Sequence, residues 1–342
     1  MDAGKWRQTN GDTVVLCTLG YDRRVFGSGD EIVCSAVISD FSHPPFSGPT
    51  LRWELSGALR SYASDTLEIN HKPFCAYEAH QLRIHIPHIE KPDAAILKFT
   101  LDENGRRVSN QWPVWLFPSE TQAPDGVHRY SKEELTWIKT AEEFPVVPEG
   151  VNLDPASHPM VLAEEIDDCL AGYLLCGGKV LIAAAEGLVR PMRSKLGLVK
   201  GRYFFTPPAN YPPYEDGLDG TIIQNHPALE SFYHEGFADL QFYRMLSESP
   251  PIDLEPTGLN GADPVIRAMH TYMVGRSLGY LVEASAGKGA LILCSLDLDQ
   301  SFCESRHLLG ELCSHALGAD FAPSLRLTDD QLRTLCRHTG FS

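Results

Sequence analysis

The sequence predicts two folded units, a β-sandwich of immunoglobulin-like type followed by an α/β domain. Three observations carry this prediction. Residues 13–117 contain short segments of period-2 alternation, which puts one side of a strand in a core and the other in solvent. Beyond residue 144, apolar runs of buried-strand type are interleaved with apolar residues at helical spacing. Between the two, Pro118, Pro124, Pro145 and Pro148 punctuate a stretch with no sustained pattern.

In the first unit, Ile32, Cys34, Ala36 and Ile38 alternate with Glu31, Val33, Ser35 and Val37. Leu51, Trp53 and Leu55 alternate with Arg52 and Glu54, and Leu82, Ile84 and Ile86 with Arg83 and His85. Gly27-Ser28-Gly29-Asp30 is a turn. Asn104-Gly105 separates two apolar segments and predicts a hairpin, because this pair tolerates positive φ. About seven strands in roughly 105 residues, without a long helical pattern, fit an immunoglobulin-like sandwich. The expected boundaries are a sandwich over 1–120, a linker over 121–143, an α/β domain over 144–320 and a tail helix over 321–342.

Within the linker, Ser131 can cap a short helix over 131–140, with Glu133 and Glu134 in its first turn. Residues 144–147 form a short apolar run. Leu162, Ile166, Leu170 and Leu174 recur at helical spacing and predict a helix over 161–175, ended by Gly177-Gly178. The continuous apolar run 179–185 then reads as a buried parallel strand. A strand is expected over 221–224, a surface loop over the Pro- and Tyr-rich 207–219, and helices over 238–247 and 305–317. Residues 278–284 and 290–296 flank a hairpin turn, and 328–338 reads as a capped helix.

Hydrophobic residues make up 43% of the 342, enough for a sizeable core. The 45 acidic against 29 basic residues give a net charge of −16 and no dense Lys/Arg cluster. Such a surface repels phosphate backbones and anionic bilayers, so neither nucleic acid nor membrane is an expected partner. No apolar run reaches the roughly 20 residues of a membrane span. Residues 1–12 are polar and lack the apolar stretch of an export signal, so a cytoplasmic location is expected. The nine cysteines form no CxxC pair and no Cys/His zinc spacing, which predicts reduced packing thiols and no bound metal or other cofactor.

Few residues offer chemistry. Cys176 precedes Gly177-Gly178 but follows a helix, whereas a nucleophile elbow stands between a strand and a helix with small residues on both sides. Cys294 follows an apolar strand and is better placed, yet no glycine flanks it. His226-Pro227 follows a strand, where His226 could act as a base or ligand, or simply cap the next turn with Pro227 at its first position. The sequence 286–289, Ala-Gly-Lys-Gly, fails the phosphate-loop pattern. The acidic pairs Glu133-Glu134, Glu164-Glu165, Asp167-Asp168 and Asp329-Asp330 fall at helix starts or on solvated faces, where the helix dipole favours them without catalysis. Trp53, Trp112 and Trp115 could stack on sugar rings, or they could fill the sandwich core.

Several segments together resemble one family. They are Leu51-Arg52-Trp53-Glu54-Leu55, the stretch 109–118, Gly177-Gly178-Lys179-Val180-Leu181, Asn225-His226-Pro227-Ala228-Leu229, Asp239-Leu240-Gln241-Phe242, the stretch 278–284, Gly287-Lys288-Gly289 and the stretch 293–298. In that order they resemble the region after the catalytic barrel in β-galactosidase-like family 2 glycoside hydrolases. There a sandwich leads into a class I glutamine-amidotransferase-like, flavodoxin-like α/β domain. The resemblance implies a non-catalytic accessory role, supporting a catalytic (β/α)8 barrel, the cleft rim or an oligomer. The family's acidic catalytic residues lie in that barrel, which needs roughly 250 residues, so none carries over to this chain. A stand-alone hydrolase or amidotransferase-like enzyme using His226 and Cys294, and a carbohydrate-binding module using its tryptophans, are the alternatives.

Overall fold

The computed structural model describes residues 3–121, 124–130, 138, 144–148, 151–183, 188–189, 218–247, 249–270 and 275–339. The expected linker helix over 131–140 and nearly all of the 207–219 loop lie outside them. The chain forms two compact units, Met1–Ser119 and Glu120–Ser342.

The first unit opens with α1 (Ala3–Asn10) and continues with eight strands: β1 (Thr13–Cys17), β2 (Val25–Gly27), β3 (Glu31–Asp40), β4 (Thr50–Ser56), β5 (Ser61–Glu68), β6 (Cys75–His85), β7 (Asp93–Glu103) and β8 (Arg106–Phe117). They form a three-stranded sheet, β1-β3-β6, and a five-stranded sheet, β2-β8-β7-β4-β5. The alternating sets meet in one core: Ile32, Cys34, Ala36 and Ile38 from one sheet, Leu51, Leu55, Leu97, Phe99 and Leu101 from the other. Asn104 and Gly105 both have positive φ, 52° and 86°, and turn β7 into β8. That is the geometry a two-residue hairpin needs to match strand twist.

Arg24 and Asp40 are charged residues buried in this unit, and Asp40 is the deeper. Asp40, at the end of β3, is fully buried. Its Oδ1 accepts bonds from the Thr13 hydroxyl at 2.6 Å and from the Ser42 hydroxyl and amide at 2.5 and 3.1 Å. Its Oδ2 accepts the Phe46 amide at 3.0 Å and lies 3.0 Å from His71 Nε2. Burial alone would raise the carboxyl pKa, but the bonds from Ser42, Thr13 and Phe46 outweigh it and hold Asp40 well below the usual carboxylate range. One carboxylate thus ties β1, β3 and the loops after β3 and β5.

The second unit is one mixed sheet with helices on both faces. Its strands are β9 (Val127–Arg129), β10 (Met160–Ala163), β11 (Lys179–Ala183), β12 (Leu218–Ile223), β13 (Ile252–Asp253), β14 (Ile266–His270), β15 (Leu278–Ala286) and β16 (Gly289–Cys294). Their order is β12-β14-β15-β16-β11-β10-β9, with β13 against β15. From β16 to β9 all neighbours are parallel, and from β16 to β12 all are antiparallel. The helices are α2 (Asp168–Leu175), α3 (Tyr243–Ser247), α4 (Cys303–Leu317) and α5 (Asp329–Thr339). Leu170, Tyr173 and Leu174 of α2 and Leu332 and Leu335 of α5 pack with Val161, Val180, Val282, Ala284, Leu291 and Leu293 on one face. On the other face α4 lies against β10 and β11.

The helix expected over 161–175 is corrected. Its first residues are the wholly buried strand β10, and α2 starts only at Asp168, where Asp167 caps it by accepting the Leu170 amide at 2.8 Å. A strand buried on both faces carries no periodicity of its own, so Leu162 falls into helical register with Ile166, Leu170 and Leu174 by coincidence. The helix expected over 238–247 begins instead as a 3-10 turn, Leu240–Phe242, capped by Asp239, and passes into the short α3.

The hairpin of β15 and β16 meets the end of α2 backbone to backbone. A Cβ on Gly289 would stand 2.2 Å from the Gly178 carbonyl oxygen and 2.4 Å from that of Leu174. The Gly-Lys-Gly turn is therefore a packing device. Gly289→Ala should cost about 1–3 kcal/mol by overpacking, measured by urea denaturation. Asp40→Asn should cost roughly 3 kcal/mol, because the loop amides and His71 lose a buried anion, and the same measurement checks it.

Candidate functional site

The polar groups that converge do so on the α4 face of the second unit. Strand β15 is almost continuously buried, yet Glu283 interrupts it, between Val282 and Ala284, which face the opposite core. Its carboxylate therefore emerges under α4. After β12 the chain enters a 3-10 turn, Pro227–Leu229, for which His226 is the cap: its Nδ1 accepts the Ala228 amide at 3.2 Å. On α4, His307, Glu311 and His315 are spaced four apart and form one stripe.

Two histidines flank Glu283. His315 Nε2 lies 2.9 Å from Oε1, and His226 Nε2 lies 3.7 Å from Oε2. The two rings meet edge to face, with centroids 5.4 Å apart, and His315 also packs against Phe321 at 5.1 Å. Because Nδ1 of His226 accepts a backbone proton, its neutral ring carries hydrogen on Nε2, toward Glu283. Burial lowers the His226 pKa; Glu283 opposes this and His315 adds to it. The ring is thus kept neutral, with Glu283 as a partner for both imidazoles.

About two turns of α4 from His315, Ser231 Oγ lies 2.7 Å from His307 Nε2, and the Ser231 amide donates to Glu311. Glu311 Oε2 is 4.0 Å from the same His307 nitrogen. Burial pushes His307 down to about 4 and raises Glu311. An exposed serine beside an imidazole suggests a nucleophile and its base, but three features disarm it. The conjugate acid of His307 is too strong for effective proton abstraction at neutral pH. Glu311 stands beside the nitrogen that faces the serine, so it does not orient the ring from the far side. The Ser231 amide, which an oxyanion would need, is already donated to a carboxylate.

The residues singled out in the sequence fall as follows. Among the described residues, the partners of His226 are Ala228, Glu283 and His315, and Cys294 is not one of them. Cys294 ends β16 opposite Leu281, is 1% exposed, and burial pushes its thiol up to about 12. Cys176 is an exposed C-cap of α2. Trp53 and Trp115 are buried in the sandwich unit, and Trp112 is half-buried with its ring 5.2 Å from Phe99. Asp167-Asp168 and Asp329-Asp330 stand at the starts of α2 and α5. Sequence reasoning missed Glu283 and the α4 stripe. Their signals were a charge inside an otherwise apolar strand, and His-Glu-His at i, i+4 and i+8 of a helix that was itself expected.

Residues 161–337 match the family model described as Domain of unknown function (DUF8487), and residues 30–118 match the one described as Domain of unknown function (DUF8488). No curated protein matches. Two solved structures of β-glucuronidase from Parabacteroides merdae, one with glycerol in its active site, align at 10% and 12% identity. Each alignment covers 53% of this chain and 24% or 23% of the other, with a TM-score of 0.21. The chain therefore spans about a quarter of the length of those enzymes, and so low a score carries no argument about shared fold or activity.

His307 generates a pH prediction. Its folded pKa, about 4, lies below the roughly 6.5 of a free histidine, so the unfolded chain binds more protons between these values. This contribution is complete above pH 6.5 and is lost as pH falls toward 4, by up to roughly 3 kcal/mol. Glu311, raised by burial, opposes it in part. His307→Gln, which keeps a partner for Ser231, should flatten the fall in stability between pH 7 and pH 5 in urea titrations.

Proposed function

The chain belongs to the DUF8487 family, and on that premise we propose that it is a non-catalytic accessory region of carbohydrate-processing machinery. In this reading its α/β unit is glutamine-amidotransferase-like, of flavodoxin-like type, and with the sandwich it supports a family 2-type glycosidase barrel, the cleft rim or an oligomer. The ordered sequence segments from Leu51 to Leu298 support the family resemblance. The structural observation that carries the reading is Cys294.

A nucleophile elbow exposes its residue at the end of a sheet strand, on a sharp turn. Here the thiol at the end of central strand β16 is sealed among apolar side chains and pushed up to about 12. Burial disfavours the thiolate and keeps the thiol protonated at neutral pH, so Cys294 is a packing group. Of the three tryptophans weighed as a sugar platform, Trp53 and Trp115 are buried, and Trp112 is half-buried with its ring tilted against Phe99.

The purified chain should leave nitrophenyl glycosides and glutamine unhydrolysed. It should raise the melting temperature of a family 2 barrel that has been deprived of its own C-terminal region. Saturation at a hundred times Kd corresponds to about 2.7 kcal/mol of stabilisation. Glutamine hydrolysis that disappears in Cys294→Ala, or a barrel indifferent to the chain, would remove the accessory reading.

A further inference from the structure

We propose that His226, Glu283 and His315 form a binding site for a divalent first-row transition metal of the zinc type. This goes beyond the accessory role and does not depend on it. Among the described residues these are the three whose ligand atoms, two imidazole nitrogens and a carboxylate oxygen, lie within 4.8 Å of one another. An ion holding such ligands at about 2.0–2.1 Å in tetrahedral geometry separates them by roughly 3.3 Å. The present separations of 2.9 and 3.7 Å, one to each oxygen of Glu283, bracket that value, and the three ligand atoms all lie within 4.8 Å of one another.

Three further features favour an ion. The ligands come from a capped turn, a central strand and a long helix, so their backbones are fixed before the ion arrives. Their side chains are 25%, 10% and 12% exposed, which leaves a path from solvent while removing most competing water. The bond that Nδ1 of His226 accepts from the Ala228 amide holds the ring with Nε2 turned toward Glu283. Two imidazoles and one carboxylate suit zinc and its neighbours better than magnesium or calcium, which prefer all-oxygen cages. Three protein ligands also leave a fourth position open.

Coordination has a defined proton balance. A neutral imidazole with its hydrogen on Nε2 must move it to Nδ1 before Nε2 can bind the ion, and that change of tautomer releases no proton. At His226 that step gives up the bond accepted from the Ala228 amide and sets two N–H donors face to face, a loss of about 5- to 150-fold in affinity that the ion's bonds must exceed. Glu283 exchanges two N–H partners for the ion and remains a carboxylate.

The test is isothermal titration of the full chain with zinc(II), using protein in which the exposed Cys169 and Cys176 are replaced by serine. One equivalent should bind, and Glu283→Gln and His315→Gln should each weaken it at least about tenfold. Circular dichroism checks that the variants fold. Pulsed electron paramagnetic resonance on copper(II)-loaded protein with these three residues intact should show couplings from two imidazole nitrogens, a result independent of any change at the site. No stoichiometric zinc binding, binding unchanged in the variants, or fewer than two coupled imidazoles would each overturn the proposal.

Discussion

The second unit is organised by strand β16. Its six residues, Gly289–Cys294, are all buried, and the sheet changes direction there. A strand enclosed on both faces obliges helices to cover both, which is why α2 and α5 lie on one side and α4 on the other. The parallel neighbour β11 follows β10 through α2, whereas the antiparallel neighbour β15 joins β16 directly through a tight hairpin. That hairpin fixes β15 in register with β16, and the register decides which β15 side chains face α4. Glu283 is one of them, so the polar cluster follows from the central strand's enclosure.

Enclosure also accounts for what could be read in the sequence and what could not. The sandwich was legible because its strands are half-buried, and alternation such as Ile32 to Ile38 is imposed by having one wet face. The Asn104-Gly105 turn was legible because its backbone demands a particular residue pair. Strand β11 was found by its unbroken apolar run and the preceding Gly177-Gly178. Strand β10 was not, because a four-residue apolar run beside Ile166 and Leu170 is indistinguishable from a helical face by spacing alone.

The polar cluster was only partly legible for a different reason. His226 stood out because it follows a strand and precedes proline. Its partners lie 57 and 89 positions further along the chain, on elements that looked ordinary individually. Nothing local announces that a helix stripe and a strand interruption will face each other. Their meeting depends on which sheet face α4 covers. The Asp40 network in the sandwich has the same character: Thr13 and His71 reach one carboxylate from opposite directions in sequence.

The tryptophan distribution has an optical consequence. Of the five indoles in the chain, Trp6, Trp53, Trp112 and Trp115 belong to the sandwich unit, and two of these are deeply enclosed. Ultraviolet emission from the intact polypeptide therefore reports chiefly on the N-terminal unit. Far-ultraviolet ellipticity near the helical minima, by contrast, is dominated by α2 to α5 of the C-terminal unit. Recorded together during one melt, the two signals let each half of the molecule be followed without cutting it.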